Sequence, residues 1–133
     1  MYVNSVFLVG FLGSDAKTRE TRDGVPLTIL SLATKRSWKN NQGEWDSHTD
    51  WHSISCFGAV AQFASSLKRG SHVAITGYLR SREIDGDGNG RGKKSGAKTK
   101  VRAWEVRAIR IAKLDRAVQE DHSTDIPAND PAL

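Results

Sequence analysis

Apolar and polar positions alternate with a period of two along much of this chain, the spacing of strands that present different chemistry on their two faces. The segment 51–57, Trp-His-Ser-Ile-Ser-Cys-Phe, is the sharpest case: Trp51, Ser53, Ser55 and Phe57 share one face, and His52, Ile54 and Cys56 the other. Serine beside tryptophan fills a core poorly and leaves hydroxyls to satisfy. Flat rings set among small polar residues instead form a platform on which planar groups such as nucleobases can stack.

The same reading extends along the chain. Residues 3–12, rich in Val, Phe and Leu, predict a first strand that ends at the turn Gly13-Ser14-Asp15. Residues 18–22 predict a short strand running into Asp23-Gly24, a tight hairpin connection. A strand over 25–38 is long enough to require curvature or a bulge. The polar stretch 39–46 reads as a hairpin loop, and 49–57 as the next strand. Apolar residues at 60, 63, 64 and 67 repeat at helical spacing, so 59–67 predicts an amphipathic helix closed by Lys68-Arg69-Gly70. Strands over 72–84 and 98–114 flank a glycine-rich loop at 85–96. One helix inserted into a strand-rich domain fits a small closed barrel, because closure removes exposed edges. An OB-fold and other small barrels satisfy that pattern alike.

Composition adds the sign of the partner. The 133 residues make one domain with room for its own core, and 20 Lys and Arg against 15 Asp and Glu give a formal net charge of +5. The excess is local: residues 1–114 hold 19 bases and 10 acids, whereas 115–133 hold five acids and Arg116. A basic body with an acidic end favours a polyanionic partner. Cys56, the sole cysteine, excludes an internal disulfide and reads as a small buried hydrophobe on the aliphatic face of its strand. The apolar run 6–12 is interrupted by Gly10 and lacks the flanks of an export signal. No run approaches the roughly 20 apolar residues that span a bilayer. A cytosolic protein without membrane contact is the expectation.

Six segments then carry a resemblance: Val9-Gly10-Phe11-Leu12-Gly13-Ser14-Asp15, Leu32-Ala33-Thr34 to Trp38, Asp50-Trp51-His52, Cys56-Phe57-Gly58, Lys68-Arg69-Gly70-Ser71-His72-Val73 and Gly77-Tyr78-Leu79-Arg80-Ser81-Arg82. In order and spacing the chain resembles the bacterial single-stranded DNA-binding protein family over about residues 3–114. The resemblance implies an all-β fold, an OB-fold five-stranded Greek-key barrel with one short helix and extended β-hairpin loops, over 1–114, with 115–133 as a short acidic tail. It implies sequence-independent binding and protection of single-stranded DNA during replication, recombination and repair. It also implies a cytoplasmic, nucleoid-associated homotetramer that is not an enzyme and needs no cofactor.

By position, Trp38, Trp51 and Phe57 match the family's base-stacking aromatics. A fourth such position is Ile84 here, a departure that weakens or relocates one contact. Trp104 and Trp45 are candidates to compensate, but Trp45 lies in a loop and Trp104 on the last strand, so core or interface roles fit both at least as well. Arg80 and Arg82, which alternate onto one strand face, and Lys39 beside Trp38 are the leading phosphate contacts, with Lys35 and Arg19 as further candidates. Ser53, Ala59 and Glu83 stand where the family is often basic, so its phosphate track does not transfer whole. His52 matches a position near the family's subunit interface.

Several other patterns carry less. Asp85-Gly86-Asp87-Gly88-Asn89-Gly90 imitates the start of a calcium-binding loop, but its twelfth position is Gly96 and its flanks are strands. A flexible basic hairpin carrying Arg91, Lys93 and Lys94 is a better account than calcium binding, and a merely solvated loop fits about as well. His48, His52 and Cys56 recur every fourth residue, which on a strand sets neighbours roughly 13 Å apart, too far to share one ion. No metal site is expected. Asp15, Asp46, Asp50 and Glu105 sit in separate segments without a paired motif, so a nuclease on the same barrel is a distant alternative. A related primosome or RNA-binding module is a nearer one. Asp125-Ile126-Pro127 echoes the acidic tip with which family members recruit replication and repair proteins, yet no terminal Phe follows. Replication and repair proteins stay candidate partners, but the tail motif is atypical.

Overall fold

The computed structural model describes residues 1–85 and 100–114. Its elements run β1 (Val6–Leu12), β2 (Lys17–Glu20), β3 (Pro26–Lys39), β4 (Trp45–Phe57), α1 (Gly58–Ala64), β5 (His72–Asp85) and β6 (Lys100–Lys113). The strands lie in the order β1-β5-β6-β4-β3-β2, and a short β1–β3 pairing through Phe11–Ala33 and Leu12–Leu32 closes the sheet on itself. Five strands thus make a closed barrel, the OB-fold, with β2 added at the outer edge of β3. Neighbours are antiparallel except β4 and β6, which run parallel through Ile54–Val106 and Ser55–Arg107.

Alternation decides which side chains fill the interior. Leu12, Leu30, Leu32, Ile54, Val73 and Ile75 point inward and are sealed from solvent, each burial stabilising the fold by roughly 1.5–3 kcal/mol. Helix α1 packs on β3, β4 and β6 and adds Ala61 and Ala64 to the same core. The buried Thr28 hydroxyl is satisfied by donating to the Ala61 carbonyl at 2.9 Å. Where β5 and β6 bend around the barrel, the register shifts between Thr76 and Gly77. A β-carbon at Gly77 would collide with the Arg107 carbonyl, so the close approach of the two backbones needs glycine.

Several boundaries differ from the sequence expectation by a residue or two, and the three largest differences arise where a side chain competes with the backbone. The first strand begins at Val6 rather than residue 3, since the Asn4 amide exchanges two hydrogen bonds with the Leu79 backbone at 2.8 and 2.9 Å. The hairpin loop is shorter than 39–46. Asn40 Oδ1 accepts from the Gln42 and Glu44 N–H groups, which tightens the turn and lets pairing run out to Lys39–Trp45. The helix stops at Ala64 rather than 67, where the Ser65 and Ser66 hydroxyls donate to the carbonyls of Gln62 and Phe63. Leu67 buries beyond the helix end all the same. Beyond Asp85, the glycine-rich loop expected at 85–96 lies outside the described residues, as does the acidic tail at 115–133.

Candidate nucleic-acid interface

The outer face of β4 carries Trp51, Ser53, Ser55 and Phe57, while Ile54 and Cys56 turn inward. Trp51 and Phe57 are both half-buried, so neither ring is sealed inside the barrel. The edge of the Trp51 indole lies against Gly13. A β-carbon there would collide with Cζ3 and stand 2.6 Å from Cη2, so glycine is what lets the ring settle onto the backbone. A pocket of about 220 Å³ opens beside the indole, with Ser14, Lys17, Ile29, Trp51, His52 and Ser53 among its lining. Its wall is mixed, an aromatic and an aliphatic surface with hydroxyls and one ammonium, which suits a planar group attached to an anion. Among the described residues the buried indole N–H finds no acceptor.

Phe57 is not bare. The Arg107 guanidinium sits over its ring, 4.1 Å from the centroid. Arg107 Nε donates to Ser55 Oγ at 3.2 Å, and the same hydroxyl donates to Glu105 Oε2 at 3.0 Å. Ser55 is buried, yet its hydroxyl is fully engaged, which explains how serine occupies a covered position on this face. Glu105 also meets Arg80 at 3.5 Å and Arg107 at 4.0 Å. Two arginines therefore share one carboxylate directly beside the aromatic platform. Arg107 and Glu105 were not singled out in the sequence as binding residues. Their alternation with the core residues Val106 and Ala108 was the available signal.

Neighbouring strands continue the charge. On β2, Lys17 and Arg19 pair with Ile29 and Leu27 and so share the outer face with Phe57 and Ser55. On β3, Lys35 and Lys39 pair with Thr49 and Trp45, the same face farther out along the hairpin. On β5, Arg80, Arg82 and Ile84 pair with Glu105, Ala103 and Val101. Glu105 is the acid among the described strand residues of this face. The structure thus gathers Trp51, Phe57, Lys39, Lys35, Arg19, Arg80 and Arg82 on one side of the sheet.

Trp38 does not join them. The β3–β4 register runs without a bulge and pairs Trp38 with Asp46, so Trp38 projects from the opposite face of the ribbon, 42% exposed. On that face Arg36 makes two hydrogen bonds to Asp50, at 2.9 and 3.3 Å, and His48 stands 3.4 Å from the same carboxylate. The hydrogen bond from Arg36 holds the Asp50 carboxyl below the usual carboxylate range. His52 is on this side too, half-buried, with Nε2 2.9 Å from the Thr34 hydroxyl. Trp45 and Trp104 are not core residues, being 69% and 58% exposed. Trp45 belongs to β4, on the face of Trp51, with the Lys39 ammonium 5.9 Å from its ring centroid. Asp15 accepts from the Arg69 N–H and Asp46 from Asn40, so the carboxylates weighed for a nuclease stay apart. Among the described residues no group of three or more His, Cys, Asp or Glu is placed to hold a metal.

Known proteins share this architecture. A Plasmodium falciparum single-stranded DNA-binding protein in complex with single-stranded DNA superposes with a TM-score of 0.70 at 21% identity, covering 86% of this chain and 97% of that one. The wild-type single-stranded DNA-binding protein of Thermus aquaticus gives 0.68 at 24% identity, covering 86% of this chain and 52% of that one. This chain therefore spans about half the length of the Thermus protein. The model of the single-strand binding protein family matches residues 3–109. With that match over most of the chain, and on the barrel described above, the chain belongs to the single-strand binding protein family.

Proposed function

We propose that this chain binds and protects single-stranded DNA without sequence preference during replication, recombination and repair, as a binder and not as an enzyme. The observation that carries the reading is one outer face. It holds Trp51 and Phe57 in reach of solvent, hydroxyls between them, and cations on all flanking strands with a single acid among its described strand residues. Rings stack on any base, and Lys and Arg neutralise phosphates and release counterions, which gives affinity without sequence readout. Trp51 and Phe57 are the stacking residues, Arg19, Lys35, Lys39, Arg80 and Arg82 the phosphate contacts, and Trp38 a contact made from the far side of the hairpin. Exposed Phe7 and Val9 on the outer face of β1 offer an apolar strip for another copy to cover, which supports assembly as a homotetramer with His52 near the subunit contact. The place of action is the cytoplasm, on nucleoid DNA. Among the described residues no helix is long and apolar enough to cross a membrane.

Titration of tryptophan fluorescence tests this. Oligo-dT should quench the emission and duplex DNA should not, without cleavage of the strand. Affinity should fall with salt at a log–log slope of about 0.7 per phosphate neutralised. Tighter binding of oligo-U would favour the RNA-binding module, and metal-dependent loss of substrate the nuclease. Light scattering in the same buffer gives the subunit number.

A further inference from the structure

We propose that Arg107 is a further base-stacking residue: its guanidinium, seated on Phe57, extends that platform with a second plane on which a nucleobase stacks. The inference rests on the single-strand binding reading above and names a contact that reading did not contain.

The guanidinium is held on several sides. Phe57 covers one side, at 4.1 Å from the ring centroid. Its Nε is fixed on Ser55, and Nη2 lies 4.0 Å from Glu105. The side chain as a whole keeps 21% of its surface open, so an incoming group can reach it. A guanidinium is planar, weakly hydrated for a cation and able to stack on aromatic faces, and bases stack on arginine planes as they do on rings. A base reaching Phe57 directly would first have to break the ring contact and the Ser55 hydrogen bond. Stacking on Arg107 leaves both in place and adds a third layer. The placement follows from topology: the parallel β4–β6 pairing sets Arg107 opposite Ser55, and the β5–β6 pairing sets Arg80 opposite Glu105.

Arg107→Lys separates the roles, because it keeps the charge and removes the plane. Kd is measured by anisotropy for labelled oligo-dT and for an abasic oligomer of the same length, with Arg107→Ala and Phe57→Ala alongside. Circular dichroism and melting confirm each fold. The expected result is that Arg107→Lys weakens oligo-dT binding at least fivefold with an unchanged salt slope, and that this penalty disappears on the abasic strand. A phosphate contact or a structural role would carry the penalty over to the abasic strand, and that result overturns the inference. So does Arg107→Lys or Arg107→Ala binding oligo-dT as tightly as wild type, or tighter, while Phe57→Ala weakens it, since the arginine would then only shield the ring. Should the wild-type protein fail to bind oligo-dT at all, the functional reading itself fails, an outcome distinct from the loss of this contact.

Discussion

Replacing Trp51 by alanine addresses the aromatic platform directly. Stacking on one ring contributes about 1–3 kcal/mol per base. The indole is half-buried against Gly13 and the wall of the adjoining pocket, so only part of its surface is left for a ligand. That places the expected loss in the lower part of the range, about 1–2 kcal/mol, or about 5- to 30-fold in Kd. The fold loses less than it would from a sealed aromatic, whose truncation to alanine costs about 3–5 kcal/mol. The sealed core of Leu12, Leu30, Leu32, Ile54 and Ile75 is untouched. Because the substitution removes a fluorescent reporter, anisotropy of labelled oligo-dT is the suitable assay. Trp51→Phe is the matched control, keeping a π-face while removing the unpaired indole N–H, and should retain most of the affinity. A folded Trp51→Ala variant with wild-type Kd would take Trp51 out of the site. Phenylalanine performing as badly as alanine would show that stacking is not what the indole supplies.

Three further outcomes follow from the packing of the site and of the core. Gly13→Ala inserts a methyl group where the Trp51 ring lies and should displace the indole, shifting the fluorescence maximum and weakening oligo-dT binding several-fold with little change in melting temperature; an unaltered spectrum and Kd would refute the contact. Burial raises the Cys56 thiol from 9.0 to about 11, so at pH 8 the folded protein should react with a disulfide reagent about a hundredfold more slowly than after unfolding in urea, on thiolate fraction alone. The unfolded thiol ionises first as pH rises. Cys56 is thus neutral toward stability below pH 9 and destabilises the fold by about 1.4 kcal/mol per unit between 9 and 11. Cys56→Ala should lack that component in a comparison of denaturation across the same range, and an identical pH profile would refute it.

Much of the barrel was legible because its strands are written locally. In 51–57 each residue's face follows from its neighbours, and Ile54 and Cys56 do fill the core. The places that were not legible depend on partners distant in sequence. Asn40 fixes the β3–β4 turn, and the turn fixes the register, so whether Trp38 and Trp51 share a face depends on a loop length that alternation cannot supply. Read alone, 39–46 could be loop throughout. Once pairing extends to Lys39–Trp45, Trp45 joins the face of Trp51 and Trp38 leaves it. Arg107 has the same origin: it meets Ser55 across 52 residues of chain, through the parallel strand pairing that closes the barrel.

That long-range pairing also divides labour between two arginines that a sequence cannot tell apart. Arg80 and Arg107 share Glu105, but on different terms. Arg80 is 38% exposed and holds the carboxylate at 3.5 Å, with no second anchor among its described ion pairs and hydrogen bonds. A bridge of this exposed kind stabilises by about 0–1 kcal/mol at most, so an arriving phosphate can replace the carboxylate at small cost. Arg107 is held by a ring, a hydroxyl and the same carboxylate, and exchanging it would break all three. On the proposed reading, Arg80 would be the cation free to turn to the backbone, and Arg107 the anchored plane that stays for the base. Glu105 would then still face Arg107 and hold that plane in position if a phosphate took Arg80 from it.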